Sequence, residues 1–205
     1  MIRVALPKGR MGDKVYSVFE KIGYGSRDYG GDNRRLVFEA DNGKASFILV
    51  KPSDVTVYVE RGAADLGVVG KDVLMEKSPD VYEILDLGVG ACKIAVAAKN
   101  GWRDDPSQPL RVATKYPNVA KSHYAEEGRR IDIIKLNGSI ELAPILGMSD
   151  VIVDIVETGA TLRENDLGVV EIFAESSARL IANKSAYNLR AAEMRGLTEK
   201  IEAEL

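Results

Sequence analysis

Short apolar runs alternate with amphipathic stretches along the whole chain, which has 205 residues. Aliphatic and β-branched runs predict strands in the first part of the chain, at residues 2–6, 35–40, 45–50 and 65–70. Apolar residues at helical spacing predict helices at 11–22 and 52–62. Strands that alternate with helices in this way indicate an α/β fold.

The same alternation returns in the second half of the chain. A strand predicted at 93–99 is followed by a loop-like segment at 100–109, and a β-α-β-α-β pattern then fills residues 110–156, with its last strand at 151–156. Right-handed crossovers place the carboxyl ends of parallel strands at one edge of a sheet. Ligand-binding residues are therefore expected at that edge.

The order of the elements predicts two α/β lobes. The first lobe comprises residues 1–90 plus 176–205, and the second comprises 91–175 and includes the loop at 100–109 as a surface excursion. The C-terminal segment from 185 to 205 is predicted to form one amphipathic helix that packs back on the first lobe. The residues on the apolar face of this helix are Leu189, Met194, Leu197, Ile201 and Leu205.

Composition and charge exclude several classes of protein. The chain is 45% hydrophobic and 29% charged, which is typical of a globular domain. A net charge of -3 provides no basic field for nucleic acid or an anionic membrane. There is no apolar run of the roughly 20 residues that span a bilayer, and charged residues interrupt the apolar start of the chain. A cytoplasmic protein that binds neither nucleic acid nor membrane is expected.

The chain has one cysteine, Cys92, and one histidine, His123. These counts exclude an internal disulfide and a thiolate metal cluster, and they argue against a zinc site built on histidines. No protein-held metal is therefore expected. His123 falls in an exposed helical pattern and is interpreted as a surface residue. The chemistry of the chain is expected to depend on other groups.

The segment VIVDIVETGATL (151–162) places two acids and a glycine turn at the end of a buried strand. In the turn, Thr158, Gly159, Ala160 and Thr161 offer hydroxyls and backbone N–H groups, an arrangement that binds a phosphate. Asp154 and Glu157 can accept hydrogen bonds from the hydroxyls of a sugar. The pattern suggests a ribose 5-phosphate site. The alternative interpretation is a capping acid and a helix N-cap formed by Thr158 or Thr161, and the residues alone do not decide between the two.

Other strand ends carry cations. Lys8 and Arg10 flank Gly9 after the first strand, which suits a pyrophosphate or triphosphate, although a solvated loop has the same composition. Arg34 and Arg35 form a second cationic pair, of which one is expected to reach a phosphate.

Further ligand contacts are predicted after the strands at 45–50 and 65–70. The candidates are Lys51, Asp54, Gly70 and Asp72. Close packing of a strand against a helix explains the glycines Gly67 and Gly70 equally well.

The segment ELAPILGMSDVIVDIVETGATL (141–162) resembles the signature of the ATP phosphoribosyltransferase family. The match falls on Glu141, Gly147, Ser149, Ile152, Asp154, Ile155, Thr158, Gly159, Thr161 and Leu162. Further segments resemble the family, namely LPKGR (6–10), NRRLVF (33–38), KPSDVTVYVERGAADLGVVGKDVL (51–74), RVATKYPNVA (111–120) and IIKLNGSIELAP (133–144). The length resembles the short form of the enzyme, which lacks a C-terminal regulatory domain.

The resemblance implies a fold of the type II periplasmic-binding-protein class, with two α/β lobes around a cleft. It implies transfer of the 5-phosphoribosyl group of phosphoribosyl pyrophosphate to N1 of the ATP adenine. In that reaction Asp154 and Glu157 orient the ribose and the 158–161 turn holds its 5-phosphate. The cations Lys8, Arg10 and Arg34 act on the phosphates, and Mg²⁺ is held mainly by substrate oxygens. ATP is assigned to the candidates after the strands at 45–50 and 65–70.

The resemblance also implies partners. These are a homodimer and a hetero-oligomer with a regulatory subunit that resembles a histidyl-tRNA synthetase. Two rival functions remain at this point: a non-catalytic ligand receptor on the same fold, and a phosphoribosyltransferase of the purine or pyrimidine salvage type. The second shares only the acidic strand and the Thr-Gly turn with this chain.

Overall fold

The computed structural model describes residues 1–30 and 34–205. These residues form two compact units, each with its own β-sheet. Unit 1 comprises Met1–Leu74, Ser78–Gly90 and Ser177–Leu205, and unit 2 comprises Met75–Lys77 and Ala91–Ser176.

The strands and helices alternate along the chain. The strands are β1 (Ile2–Pro7), β2 (Val37–Glu39), β3 (Ala45–Val50), β4 (Leu66–Gly70), β5 (Tyr82–Asp86), β6 (Cys92–Lys99), β7 (Leu110–Thr114), β8 (Ile131–Lys135), β9 (Val151–Val156), β10 (Leu167–Ser176) and β11 (Ala178–Ala182). The helices are α1 (Arg10–Phe19), α2 (Val55–Glu60), α3 (Lys71–Lys77), α4 (Pro117–Glu126), α5 (Leu142–Ile145), α6 (Ala160–Glu164), α7 (Lys184–Leu189) and α8 (Ala191–Glu202). The elements confirm the predicted α/β class.

The sheet of unit 1 has the strand order β2-β3-β1-β4-β11-β5. Its strands β3, β1 and β4 are parallel, so their carboxyl ends share one edge. β2 runs antiparallel to β3, and β11 runs antiparallel to both of its neighbours, β4 and β5. Helices cover the sheet because their apolar faces are buried: α1 contributes Val15 and Phe19, and α8 contributes Met194, Leu197 and Ile201. Each such side chain contributes about 1.5–3 kcal/mol when fully buried.

The sheet of unit 2 has the order β10-β6-β9-β7-β8. Its strands β8, β7 and β9 are parallel, as the β-α-β-α-β pattern predicts. β6 runs antiparallel to β9, and β10 runs antiparallel to β6. Both faces of β9 are buried in its first half: Val151 and Val153 pack on the side of α4, and Ile152 packs with Ala143 of α5 and Leu162 of α6.

Several sequence-based predictions are corrected by the structure. The helix predicted at 11–22 ends at Phe19 and continues as a wider helical turn that contains Gly23 at φ 83°. The prediction of a single C-terminal helix is wrong, because Arg190 has a non-helical backbone conformation (φ −125°, ψ 34°) that separates α7 from α8. The break leaves Leu189 85% exposed instead of on the apolar face.

None of the helices within residues 1–30 and 34–205 is both long and apolar enough to cross a lipid bilayer.

Candidate active site

The turn after β9 contains the acids and hydroxyls that the sequence singles out. Gly159 has φ 70° and ψ 9°, a left-handed conformation that favours glycine, and it forms the N-cap of α6. The N–H of Ala160 donates to Oγ1 of Thr158 at 3.3 Å, and the N–H of Arg163 donates to the Gly159 carbonyl at 3.1 Å. The N–H groups of Thr161 and Leu162 have no acceptor within the helix, as at any helix start. The turn therefore offers backbone donors to an anion.

Two details of this turn differ from the sequence-based argument. Neither Thr158 nor Thr161 is the N-cap residue, because Gly159 occupies that position. The helix that follows has only five residues, so its dipole is small and the donors themselves supply the attraction for an anion. A Cβ on Gly159 would lie 3.1 Å from Nη1 of Arg163, which donates to the Thr158 carbonyl at 3.0 Å. Arg163 thus closes the turn from one side.

Asp154 and Glu157 lie at the carboxyl end of β9. The side chain of Asp154 is half-buried on the same face of the sheet as Ile152, and its Oδ1 accepts from the N–H of Ile155 at 2.8 Å. Glu157 is the first residue after the strand and is exposed. The two carboxylates and the 158–161 turn thus lie within eight consecutive residues at one sheet edge, as predicted.

Apart from β9, every parallel strand of the two sheets has a lysine at its carboxyl end or directly after it. These lysines are Lys8 after β1, Lys51 after β3, Lys71 after β4, Lys115 after β7 and Lys135 at the end of β8. In unit 1, Lys71 is paired with Glu83 at 2.6 Å, whereas Lys8 and Lys51 are exposed. Within each unit, a cation at the sheet edge suits a phosphate group, and in unit 2 the acids of β9 suit a group that donates hydrogen bonds.

The Lys8–Arg10 turn is held tightly in unit 1. The N–H of Lys8 donates to the Val50 carbonyl at 2.8 Å, which joins the ends of β1 and β3. Gly9 has φ 101° and ψ −171°, a conformation that is essentially restricted to glycine. Arg10 then begins α1, where a cation is unfavourable for the helix dipole by about 0.3–1 kcal/mol. A cation at this unfavourable position suggests a role in binding an anion.

Gly12 of α1 is a residue that sequence reasoning missed. A Cβ on Gly12 would lie 1.9 Å from the carbonyl oxygen of Pro7. The missing side chain therefore allows α1 to approach the end of β1, which fixes the position of the turn between them.

The remaining candidates of unit 1 lie near the same edge. Lys51 precedes a 3₁₀ turn (Pro52–Asp54), and Asp54 is the N-cap of α2 and accepts a hydrogen bond from the Ser53 hydroxyl at 3.0 Å. Asp72 is 8% exposed, and one of its oxygens would lie 2.1 Å from a Cβ on Gly70. The Asp72 carboxylate thus folds back over Gly70, which gives both residues a part in shaping this loop. Gly67 is a packing residue, because a Cβ there would lie 2.6 Å from Val59 of α2.

Arg34 and Arg35 precede β2. Because β2 is antiparallel to β3, it begins beside the carboxyl end of β3. Both arginines are exposed. Arg35 forms an ion pair with Asp28 at 2.8 Å. This pairing makes Arg34 the better candidate of the two for a phosphate.

Thr114 and Lys115 were not singled out from the sequence. Thr114 is fully buried at the end of β7, where its hydroxyl donates to the Val153 carbonyl at 2.6 Å and accepts from the N–H of Tyr116 at 2.8 Å. These bonds hold the loop after β7 against β9. Lys115 lies in that loop and is exposed. Its position directly after a strand, like that of Lys8 and Lys51, was the available signal.

The opposite end of β9 is anchored by an ion pair. Arg111 donates to both oxygens of Asp150, at 2.6 Å and 3.2 Å, and to the Gly147 carbonyl at 2.9 Å. Hydrogen bonding to this guanidinium lowers the pKa of the Asp150 carboxyl below its ordinary value. The pair fixes the loop that leads into β9.

Similar proteins identify the family to which the chain belongs. The family model described as HisG: ATP phosphoribosyltransferase matches residues 51–203. The chain belongs to the ATP phosphoribosyltransferase family. An ATP phosphoribosyltransferase of Brachyspira hyodysenteriae is 54% identical over 203 residues, which cover 98% of this chain and 98% of the relative. One of Clostridioides difficile is 48% identical over 204 residues, covering 98% and 97% of the two chains. These lengths fit the short form of the family.

Solved structures agree with the family and the fold class. The ATP phosphoribosyl transferase (HisG:HisZ) complex from Thermotoga maritima matches with a TM-score of 0.86 and 33% identity, over 100% of this chain and 98% of that one. The periplasmic aliphatic sulphonate binding protein SsuA from Escherichia coli matches with a TM-score of 0.62 and 13% identity, over 99% and 72% of the two chains. The second match concerns the fold alone and confirms the predicted periplasmic-binding-protein class.

Proposed function

We propose that this ATP phosphoribosyltransferase joins N1 of the ATP adenine to C1 of the ribose of phosphoribosyl pyrophosphate and releases pyrophosphate, the first step of histidine biosynthesis. The observation that carries the proposal is the turn after β9, with two carboxylates followed by the backbone donors and hydroxyls of residues 158–161. Family membership supports the same reaction. Both substrates are cytoplasmic metabolites, so we place the reaction in the cytoplasm.

The turn binds phosphoribosyl pyrophosphate through its 5-phosphate. The exposed hydroxyl of Thr161 and the N–H groups at the start of α6 donate to the phosphate oxygens, and Gly159 provides the left-handed backbone that aims them. Thr158 and Ala160 complete the turn through their mutual hydrogen bond. Asp154 and Glu157 accept hydrogen bonds from the ribose hydroxyls and so hold the ribose in one orientation.

The leaving group gains negative charge as the C1–O bond breaks, while the ribose becomes oxocarbenium-like. Lys8 and Arg10 stabilise the pyrophosphate, and Arg34 contributes a further cation. No side-chain nucleophile is required, since the adenine nitrogen attacks C1 directly. Positioning and electrostatic stabilisation thus supply the rate enhancement.

ATP binds at the edge of the unit 1 sheet. Lys51 provides a cation for the triphosphate and Asp54 provides a hydrogen-bond acceptor. Gly70 and Asp72 shape the adjoining loop, because the carboxylate of Asp72 occupies the space that a side chain at position 70 would fill.

Magnesium is the metal that we assign to the reaction, bound mainly by the substrates. The carboxylates of Asp154 and Glu157 offer the hard oxygen ligands that this ion prefers. Within the described part of the chain, neither belongs to a set of three or more protein ligands, so substrate oxygens and water supply the other ligands. When bound, the ion neutralises charge on the pyrophosphate.

The proposal is tested by ultraviolet difference spectroscopy with ATP, magnesium and phosphoribosyl pyrophosphate, because alkylation at N1 changes the absorbance of adenine. A ligand receptor would bind without a spectral change, and a salvage enzyme would use a free base instead of ATP. Asp154→Asn should lower turnover strongly, whereas the matched variant Asp150→Asn, at the other end of β9, should not. Equal turnover in the two variants would remove Asp154 from the site.

We also propose two protein partners for this chain, a regulatory subunit and a second copy of itself. The name of the Thermotoga maritima complex pairs HisG with HisZ. We infer that this chain likewise forms a hetero-oligomer with a regulatory subunit resembling a histidyl-tRNA synthetase, and that it self-associates as a homodimer, the commonest symmetric oligomer. Sedimentation of the chain alone and with the candidate subunit tests both statements.

A further inference from the structure

Unit 2 holds a cluster of three potential metal ligands away from the β9 turn. We call it the His123 cluster; its members are His123 of α4, Glu127 just after that helix and Glu171 of β10. The imidazole Nε2 lies 3.8 Å from Oε1 of Glu127 and 3.4 Å from Oε2 of Glu171. One ligand atom from each residue lies within 4.8 Å of the others.

The imidazole of His123 is fixed and largely buried. Its side chain is only 9% exposed, which corrects the sequence-based interpretation of His123 as a surface residue. The imidazole ring stacks on Phe173, with the ring centroids 4.0 Å apart and an angle of 11° between the planes. The ring centroid of Tyr124 lies 4.9 Å from that of His123. Among the described residues, the buried Nε2 of His123 has no hydrogen-bond partner, and it is directed at the two carboxylates. A buried polar atom without a partner normally costs about 1–3 kcal/mol, so its presence calls for an explanation.

The backbone places Glu171 beside this nitrogen. β10 is an edge strand whose pairing with β6 shifts register between Val169 and Glu171 and again between Ile172 and Ala174. Such bulges redirect side chains at sheet edges. The i, i+4 spacing of His123 and Glu127 brings the second carboxylate to the same side of α4.

Charge and distance both suit a divalent cation. With a neutral imidazole the three groups carry a charge of −2, which one divalent ion balances. Tetrahedral zinc with bonds of about 2.0–2.1 Å places its ligand atoms roughly 3.3–3.4 Å apart. The separations of 3.4 and 3.8 Å from Nε2 are close to that geometry. The exposed carboxylates can close by side-chain rotation and leave a fourth position for water.

We propose that the His123 cluster binds one divalent transition-metal ion of the zinc class, which links α4 to β10. The site is separate from the proposed catalytic turn, and the ion is distinct from substrate-bound magnesium. The sequence-based expectation that the chain holds no metal rests on its single cysteine and its single histidine. In the His123 cluster, two glutamates and the single histidine together provide three ligands.

The experiment uses the full chain, freed of metal with a chelator, and Zn²⁺ alone as the probe. Because the chain has one histidine, the imidazole ¹⁵N signals report His123 without assignment. Zinc should shift the Nε2 signal up to one equivalent and raise the melting temperature. Calorimetry should show at least tenfold weaker binding to Glu171→Gln. The matched control Glu175→Gln, exposed on the same strand, should bind like the wild type.

Three results would overturn the site. One is an imidazole signal that zinc does not change, since binding would then involve other groups such as Cys92 or the acids of β9. Another is equal zinc affinity in Glu171→Gln and Glu175→Gln. The third is the absence of both binding heat and a rise in melting temperature on addition of zinc, in which case the three side chains contact one another without a metal.

Discussion

Replacing Gly9 by alanine separates backbone strain from steric clash at the proposed pyrophosphate site. A Cβ on Gly9 would have no heavy atom of residues 1–30 or 34–205 within 4 Å, so the substitution creates no overlap with them. The conformation itself, φ 101° and ψ −171°, is the obstacle, and holding alanine there costs about 1–3 kcal/mol. For a chain of this size, 1 kcal/mol changes the melting temperature by about 2–4 °C. We expect a decrease of roughly 2–12 °C if the turn keeps its shape.

The turn can also relieve the strain by moving. Lys8 and Arg10 would then leave their positions, and a displacement of about 1 Å at a catalytic group can cost on the order of 10²-fold in rate. Thermal unfolding and the ultraviolet assay together detect either outcome: a stability loss with activity retained, or an activity loss with stability retained.

Gly196→Ala is the matched control, because it makes the same chemical change where the backbone is helical. Gly196 lies inside α8, and its Cβ would also have no neighbour within 4 Å in the part of the chain that the structure describes. Alanine is favoured there by about 1 kcal/mol, so this variant should be more stable than the wild type and equally active. If Gly9→Ala matches the wild type in both melting temperature and kcat/KM, the strain argument is refuted.

Further predictions concern binding, catalysis, stability and control. Thr161→Ala should weaken phosphoribosyl pyrophosphate about 10- to 100-fold in calorimetry, the equivalent of one hydrogen bond to a charged group, with ATP little affected and Thr161→Ser close to wild type; equal losses for both substrates would place the 5-phosphate elsewhere. Arg10→Ala should lower kcat more than it raises KM, because the pyrophosphate gains charge only towards the transition state, and a change in KM alone would contradict that role. The pKa of Asp150 is lowered in the folded state, so its ion pair with Arg111 stabilises the fold above the unfolded pKa of roughly 4 and is lost as the pH falls through the folded pKa. Asp150→Asn should therefore cost about 1 kcal/mol of unfolding free energy at pH 7 and less towards pH 3. Urea unfolding measures this cost, and a cost that does not change with pH would rule out a charge effect. Histidine should inhibit the isolated chain weakly and the complex with the proposed regulatory subunit more strongly, through a coupling of about 1–3 kcal/mol; strong inhibition of the chain alone would contradict a separate regulatory subunit.

The buried parallel strands were the most predictable part of the fold. β3 and β9 have the predicted bounds, because a run of apolar residues that is buried on both faces leaves few alternatives. β5 (Tyr82–Asp86) was not predicted: it lies at the edge of its sheet, has no fully buried residue and ends in an acid. The break before α8 was also missed, since the sequence has neither glycine nor proline at Arg190 to signal it.

The candidate site was predictable where its residues are consecutive. The acids and the turn after β9 form one short segment, and its resemblance to a family signature identifies them together. Gly12 and Thr114 act through contacts with Pro7 and Val153, which the sequence does not reveal. The His123 cluster depends on a strand bulge that brings Glu171 to a helix 48 positions earlier, counted from 123 to 171. Sequence patterns do not predict such a contact.

The place of β11 in its sheet affects the order in which the chain can fold during synthesis. β11 lies between β4 and β5, so these two strands have no shared neighbour until residues 178–182 have left the ribosome. Most of unit 2, by contrast, is one continuous segment, Ala91–Ser176, which is complete earlier. Unit 2 can therefore fold while unit 1 still exposes the edges of two strands, a state in which nascent chains are prone to aggregate.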